Sequence, residues 1–148
     1  LTTNYCCSIW INIISTMLEI LESDDVQTTL TPFSEKLGME FGRMTGDTLG
    51  LHDRDALDAY QVLEAFGHAL GQDHKSVESS SKYVTVDVSG CDLLDGPIEA
   101  CKQYERLSNG MCKSVDSRLE FACADMRDQG NRACHWTIRK KGKAGRRS

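Results

Sequence analysis

The chain has 148 residues, enough for one compact domain with a sizeable core, and its 40% hydrophobic and 26% charged residues are ordinary for a globular protein. The net charge is −5, although the last ten residues carry six basic side chains and no acid. An acidic body argues against broad nucleic-acid binding, which leaves only the basic tail as a candidate contact for phosphates or an acidic partner.

The first predicted element is an amphipathic helix from Ile9 to Glu22, with apolar residues at helical spacing. Its apolar part is interrupted by polar side chains and is too short to cross a bilayer, so we expect no membrane span. It also lacks the basic leader and the small-residue cleavage site of a signal peptide. We therefore expect a cytoplasmic protein whose seven cysteines are reduced thiols rather than a disulfide framework.

The second predicted helix runs from about Val26 to Leu49, and Gly38, Gly42 and Gly46 recur on one of its faces. Glycine within a helix costs about 1 kcal/mol relative to alanine, so three glycines in register predict a surface that something approaches closely. The expected cause is tight packing against another helix, and the alternative is the smooth wall of a ligand cavity.

The remaining elements are one more helix, two strands, a further helix and two strands, identified from their periodicity and turn residues. Their approximate bounds are Arg54–Leu70, His74–Glu78, Lys82–Val88, Ile98–Val115, Arg118–Asp125 and Ala133–Arg139. Asp53 or Asp55 is expected to cap the first of these helices, and Gly71 ends it. This order predicts an α+β fold, in which two β-hairpins form an antiparallel sheet packed by helices. We expect an N-terminal helical extension at residues 1–25, a ligand-binding domain at 26–139 and a disordered basic tail at 140–148.

Four side chains near the C-terminus are candidate metal ligands: Cys101, Glu120, Cys123 and Cys134. They come from the last predicted helix and the hairpin that follows it, and three thiolates with one carboxylate suit a four-coordinate Zn²⁺. Residues three apart on a regular strand point to opposite faces, so Glu120 and Cys123 can share a metal only if a bulge or strand end re-aims one of them. The alternative is a set of buried, inert cysteines.

The same C-terminal residues carry a family resemblance. Cys101, the run Glu120-Phe121-Ala122-Cys123, and the segment from Gly130 through Cys134 to Ile138 resemble the end of the 4-vinyl reductase domain family. The upstream order of helices and strands agrees with that family, including the run from Gly38 to Gly42, so the resemblance covers about residues 30–139.

The resemblance implies a small-molecule or hydrocarbon-binding domain, of the kind that senses aromatic effectors or assists chlorophyll synthesis. It also implies a structural zinc held by the four candidate ligands named above. Extra donors leave the ligand set open, because Cys91 or Cys112 can take the place of Glu120 and His135 that of Cys134.

An apolar stripe on the second and third predicted helices is the candidate ligand pocket, and the alternative is plain hydrophobic core. Its members are Phe33, Leu37, Phe41, Met44, Tyr60, Leu63 and Phe66. In the binding hypothesis, a small apolar or aromatic ligand shifts the balance between two arrangements of the domain. Such a readout needs a homodimer or a partner protein.

Two further hypotheses stand beside that one. The run Gly90-Cys91-Asp92 and the cysteine in the terminal hairpin resemble the related 2-amino-thiazoline-4-carboxylate hydrolases. That resemblance implies a hydrolase or an accessory subunit for a small sulfur- or nitrogen-containing ring, with either Cys91 as a nucleophile or the metal in the chemistry. The acidic side chains around Cys91 do not supply the positive field that activates a thiol, so we expect a non-catalytic protein and leave catalysis open. The third hypothesis is a structural subunit of a larger assembly, whose cysteines only hold the fold.

Overall fold

The computed structural model describes residues 23–91, 98–125 and 133–142. These residues form helices α1 (Ser23–Leu49), α2 (Ala56–Ala69) and α3 (Ile98–Val115), and strands β1 (Asp73–Ser79), β2 (Tyr83–Ser89), β3 (Leu119–Asp125) and β4 (Ala133–Lys140). The predicted α+β class, with an antiparallel sheet packed by helices, is therefore confirmed. The predicted helix Ile9–Glu22 and the predicted turn around Gly130 lie outside the described residues.

The four strands form one antiparallel sheet in the order β1-β2-β4-β3. Each hairpin pairs its own strands, and β2 also pairs with β4, with Val86 opposite Trp136. Alternation along the strands sends one set of side chains toward the helices, where Val84, Val86, Val88, Trp136 and Ile138 are almost completely buried. The other face is more polar, and there His135 Nδ1 lies 2.8 Å from Asp87 Oδ1.

Strand β1 is the most exposed strand of the sheet, and His74 is its one partly buried residue. Its pairing with β2 shifts register between Ser76 and Glu78, which is the signature of a β-bulge. The residue between them, Val77, is 58% exposed. Because β1 pairs only with β2 among the described strands, its outer edge has no strand partner in that part of the chain.

Helices α1 and α3 pack closely because glycines line their contact. A Cβ atom on Gly38 would overlap the backbone carbonyl of Leu107, and one on Gly110 would overlap that of Glu35. Gly42 likewise faces the backbone of Met111. The prediction of tight helix packing is thus confirmed for two of the three glycines in α1, whereas a Cβ atom on Gly46 would meet none of the described residues within 4 Å.

Polar contacts support this helix pair and the start of α2. Ser34 donates a buried hydrogen bond to Gln103 across α1 and α3, at 2.8 Å. Of the two predicted caps for α2, Asp55 fills the position, and its carboxylate accepts from the backbone N–H groups of Leu57 and Asp58.

Within the residues described here, no helix is both long enough and apolar enough to cross a membrane.

Candidate functional site

Three cysteines lie in the region where the start of α3 approaches the β3–β4 hairpin, and the Cys123 and Cys134 thiols are hydrogen-bonded to each other. Cys101 lies in the first turns of α3, Cys123 on β3 and Cys134 on β4. The register places Cys134 opposite Asp125 and Cys123 opposite Trp136, so the two cysteines are diagonal neighbours on the inward face. We refer to Cys101, Cys123 and Cys134 as the thiol cluster.

The electrostatics of the thiol cluster favour protonated sulfur in the absence of a cation. The pKa of the Cys123 thiol is raised, first by its hydrogen bond to Cys134, then by burial, and then by the negative charges of Cys134, Glu105 and Cys101. A cation bound at this buried place would stabilise the thiolate forms, because its positive charge offsets the repulsion between the neighbouring negative groups.

The fourth candidate ligand, Glu120, lies apart from these thiols. Its carboxylate pairs with Lys141 and lies 3.6 Å from the Arg139 guanidinium, and these contacts, Lys141 foremost, lower its pKa. The β3–β4 register is regular from Glu120 to Cys123, so no bulge re-aims either side chain. Because the strand is regular, the two residues point to opposite faces of the sheet.

A carboxylate that the sequence reasoning did not select lies beside the thiol cluster instead. Glu105 follows Cys101 by one helical turn on α3, and its Oε1 accepts a hydrogen bond from the backbone N–H of Cys123 at 3.2 Å. The i,i+4 spacing from Cys101 to Glu105 was the available signal, because residues at that spacing share a helix face. Among the described residues, no group of three or more His, Cys, Asp or Glu side chains is arranged to hold a metal ion.

The other predicted donors occupy separate places. Cys112 of α3 is completely buried in the hydrophobic core, and burial raises the pKa of its thiol. His135 points to the opposite face of the sheet from its neighbour Cys134 and pairs with Asp87. Cys91 lies after β2 and takes part in a second cluster.

That second group, the polar cluster, consists of Gln72, His74, Cys91 and Tyr104. Gln72 is almost completely buried; its Nε2 donates to Cys91 Sγ at 3.2 Å, and its Oε1 accepts from the Tyr104 hydroxyl at 3.3 Å. His74 Nε2 lies 3.3 Å from the same oxygen, while its buried Nδ1 has no hydrogen-bond partner. Burial, with a contribution from His68, lowers the pKa of His74, so its imidazole is neutral at pH 7.

The predicted pocket stripe is distributed between core and surface. Leu63 is completely buried, and Leu37, Tyr60 and Phe66 are partly buried. Phe33 and Met44 are each 58% exposed and Phe41 36%, so they lie on the outside of α1 rather than around an enclosed space.

Aromatic rings connect this surface to the sheet. Ring centroids are 5.8 Å apart for Phe41 and Phe66, 6.4 Å for Phe66 and Tyr104, and 6.0 Å for Tyr104 and Trp136. The series joins α1, α2, α3 and β4, and it passes through the tyrosine of the polar cluster.

A groove of about 430 Å³ runs between α3 and the strands β3 and β4, and its lining is charged rather than apolar. The side chains of Glu105, Arg106, Glu120 and Arg139 all contribute to it. Carboxylates and guanidinium groups are thus mixed along its walls, which differs from the apolar walls that hold hydrocarbon ligands.

No family model matches the chain, and no curated protein matches it. The fold does match solved structures, among them the crystal structure of a trafficking protein particle complex subunit 3 from Naegleria fowleri covalently bound to palmitic acid. The TM-score is 0.68, the sequence identity is 16%, and the match covers 95% of each chain. At this identity the likeness shows a shared fold, and the 4-vinyl reductase resemblance remains a sequence-based prediction.

Proposed function

We propose that this protein is a structural subunit of a larger protein assembly. The observation that carries the proposal is the end-to-end match to a subunit of the trafficking protein particle complex, with 95% of both chains covered. At 16% identity this match shows a shared fold along nearly the whole of both chains. Proteins that share a fold often differ in function, so a proposed function needs support from the protein's own surface as well.

The described surface supports this proposal through its exposed apolar side chains. Phe33, Met44 and Val77 are each 58% exposed, and Leu49 is 47% exposed. Single exposed apolar residues are ordinary, but a set concentrated along one helix is typical of a surface that contacts another protein. Three of these four belong to α1.

The assembly proposal is tested by the native mass of the protein in the cells that produce it. The tagged chain is expressed at its natural level, the extract is cross-linked, and complexes carrying the tag are sized and their members identified by mass spectrometry. We expect a defined complex of several different chains, far larger than the 16.5 kDa of one copy. Recovery of the protein only as single copies or self-associated copies would contradict the proposal.

An apolar-ligand function is the second candidate, because the structural neighbour was solved covalently bound to palmitic acid. In this chain the Cys91 thiol packs against the hydrophobic core and accepts a hydrogen bond from Gln72, next to Tyr104. An acyl thioester would transfer its acyl group to Cys91 Sγ, forming a new S–C bond while the leaving thiol takes the proton. In this reaction the apolar ligand of the sequence-based hypothesis would be held by a covalent bond to the protein.

Intact-mass spectrometry after incubation with palmitoyl-coenzyme A tests that second function. We expect one hydroxylamine-sensitive palmitoyl group per chain, lost in Cys91→Ser and retained in Cys101→Ser, a matched control because both thiols are partly buried. Equal acylation of the two variants would show unselective labelling and remove this candidate.

We also propose that the thiol cluster holds one structural Zn²⁺ together with a carboxylate. The donor set suits zinc, and Glu105 lies against Cys123, whereas Glu120 is paired with Lys141. Bound zinc would supply a crosslink between α3 and the β3–β4 hairpin.

Elemental analysis of the purified protein tests the zinc site. We expect about one zinc per chain. The zinc content should fall in Cys123→Ser and in Glu105→Gln, and it should stay unchanged in Glu120→Gln. An unchanged zinc content in Cys123→Ser would contradict the assignment of the zinc site to the thiol cluster.

A further inference from the structure

Two depressions in the described surface adjoin each other on α3. The first is the groove of about 430 Å³ between α3 and the strands β3 and β4. The second, which we call the hollow, has a volume of about 260 Å³ and lies between the N-terminal half of α3 and Thr31 of α1. Glu105 and Arg106 line both of them, so the groove and the hollow form one elongated site with these two side chains at its middle.

The two carboxylates of this elongated site already have partners within the protein. Glu105 accepts a hydrogen bond from a backbone N–H of β3 at 3.2 Å. Glu120 pairs with Lys141 and lies 3.6 Å from the Arg139 guanidinium. The negative charge along the site is therefore used by contacts inside the fold.

Two cations of the same site have no such partner. Lys102 and Arg106 are exposed and lie one turn apart on α3, and we call them the cationic pair. Among the described residues, neither of them forms an ion pair or a side-chain hydrogen bond. Lys102 lines the hollow, and Arg106 lies where the hollow adjoins the groove. The unpaired charge along the site is thus positive, although the whole chain carries a net charge of −5.

The edge of β3 inside the groove is closed to a further strand. The outward N–H groups of Phe121 and Cys123 donate to the side chains of Asn109 and Glu105. A chain segment that enters the groove cannot extend the sheet through these N–H groups, so side-chain contacts must hold it. A guanidinium group recognises a planar pair of oxygen atoms, and the carboxylate is the protein side-chain group of that shape.

We propose that the groove and the hollow bind an extended acidic segment of a partner protein, with the carboxylate of an Asp or Glu on Arg106. The inference rests on the proposed assembly function and names the chemistry of one partner within it. The Arg106 guanidinium donates two parallel N–H···O bonds to the carboxylate, and the Lys102 ammonium adds a charge contact on the side of the hollow. The residues before and after the acidic one occupy the groove and the hollow.

The layout of the site favours a chain segment over a small free acid. A free carboxylate of a few atoms fills only one of the two depressions, whereas Arg106 lies between them. The walls on either side also include uncharged side chains, with Ala122 and Thr137 in the groove and Thr31 in the hollow. These walls suit small uncharged residues on both sides of an acidic one.

A random dodecapeptide library displayed on phage and selected on the complete purified chain tests this inference. We expect the selected peptides to share one Asp or Glu flanked by small uncharged residues. The dissociation constant of the best peptide is then measured by fluorescence anisotropy. Changing its acidic residue to the corresponding amide should raise that constant about tenfold, because the contact with the guanidinium loses its charge.

Two variants of the cationic pair and one control locate the binding site. Arg106→Gln should weaken binding of the acidic peptide about tenfold and Lys102→Gln about threefold. Lys75→Gln should leave binding unchanged, because it removes the same charge from β1, at the opposite edge of the sheet. The amide peptide should bind Arg106→Gln as well as it binds the unmodified chain, since both changes remove the same contact.

Three results would overturn the inference. The first is a selection that yields no binding peptide, or only peptides without an acidic residue. The second is an equal loss of affinity in Lys75→Gln and Arg106→Gln, which would show a general charge effect. The third is displacement of the peptide by succinate at a concentration close to the peptide's own dissociation constant, which would assign the site to small carboxylates.

Failure of this inference is distinguishable from failure of the assembly proposal. In the cross-linking experiment described above, we expect at least one partner chain to be lost when Lys102 and Arg106 are both replaced by glutamine. A complex that keeps all its members in that double variant contradicts only the present inference. A chain that binds acidic peptides as expected but never joins a larger complex contradicts only the assembly proposal.

Discussion

The carboxylate of Glu105 accepts a hydrogen bond from the backbone N–H of Cys123, at 3.2 Å. One helical turn later the same arrangement recurs, since Asn109 Oδ1 accepts from the backbone N–H of Phe121 at 3.2 Å. Strand β3 is at the end of the sheet, so these two N–H groups have no strand to pair with among the described residues. Side chains of α3 therefore complete the hydrogen bonding of this sheet edge.

Removing the Glu105 carboxylate should destabilise the fold more than removing the nearby Glu120 carboxylate. Glu105→Ala leaves the Cys123 N–H without its acceptor, which we expect to cost about 1–3 kcal/mol of unfolding free energy. Glu120→Ala breaks only surface ion pairs with Lys141 and Arg139 and should cost much less. Urea unfolding measures both changes, and an equal or larger loss for Glu120→Ala would contradict the role given to Glu105.

The glycines of α1 should respond in opposite directions to substitution by alanine. Gly38→Ala forces α1 and α3 apart, because the added methyl group meets the Leu107 backbone, and we expect a loss of about 1–3 kcal/mol. The methyl group of Gly46→Ala meets no described residue, so this substitution should stabilise the helix by about 1 kcal/mol. Thermal unfolding followed by circular dichroism distinguishes them, and similar effects at both positions would argue against the close α1–α3 contact.

Two neighbouring aspartates before α2 should differ in their contribution to stability. Asp55 caps the helix through two backbone N–H groups, so we expect Asp55→Ala to cost about 1 kcal/mol. Asp53 lies in the same exposed loop without that capping role, and Asp53→Ala should have little effect. Chemical denaturation of the two variants gives the comparison, and a larger loss for Asp53→Ala would show that the helix starts differently.

Protonation of His74 should destabilise the fold in mildly acidic solution. Burial lowers the pKa of His74 in the folded state below its ordinary value of 6.5, so the unfolded chain takes up a proton more readily. The stability from the neutral imidazole is complete above pH 6.5 and is lost as the pH falls toward the lowered pKa. His74→Gln should reduce this pH dependence between neutrality and mild acid, with His52→Gln as an exposed control. An unchanged profile in His74→Gln would contradict this assignment.

The local elements were predictable because their periodicity is strong. Helix α3 has the predicted bounds of Ile98–Val115, and the strand bounds agree to within one residue. Alternation of apolar residues, turn residues and capping aspartate all act within a few positions of the chain, so the sequence displays them directly. The pairing of β2 with β4 joins residues about fifty positions apart, and no local pattern specifies that neighbour.

The candidate site was predictable only in part, for the same reason. The helix and hairpin that carry Cys101, Cys123 and Cys134 were identified; in the structure the Cys123 thiol is hydrogen-bonded to Cys134, and Cys101 lies near enough for its charge to raise the pKa of Cys123. Glu105 was not selected, since its role depends on how α3 lies against the edge of β3. Periodicity marked the apolar face of α1, but it does not tell whether Phe33 and Met44 are inside or outside.

The bulge in β1 has a consequence for how the protein behaves at high concentration. An exposed sheet edge can recruit strands from other molecules and start fibril growth, unless its hydrogen-bonding pattern is broken. Here the register shift between Ser76 and Glu78 interrupts that pattern at the middle of the strand, and Lys75 and Glu78 add exposed charge beside it. Among the described strands, this irregularity makes the outer side of β1 a poor template for the addition of further strands, so the exposed apolar residues of α1 are not accompanied there by a regular sheet edge that recruits other molecules.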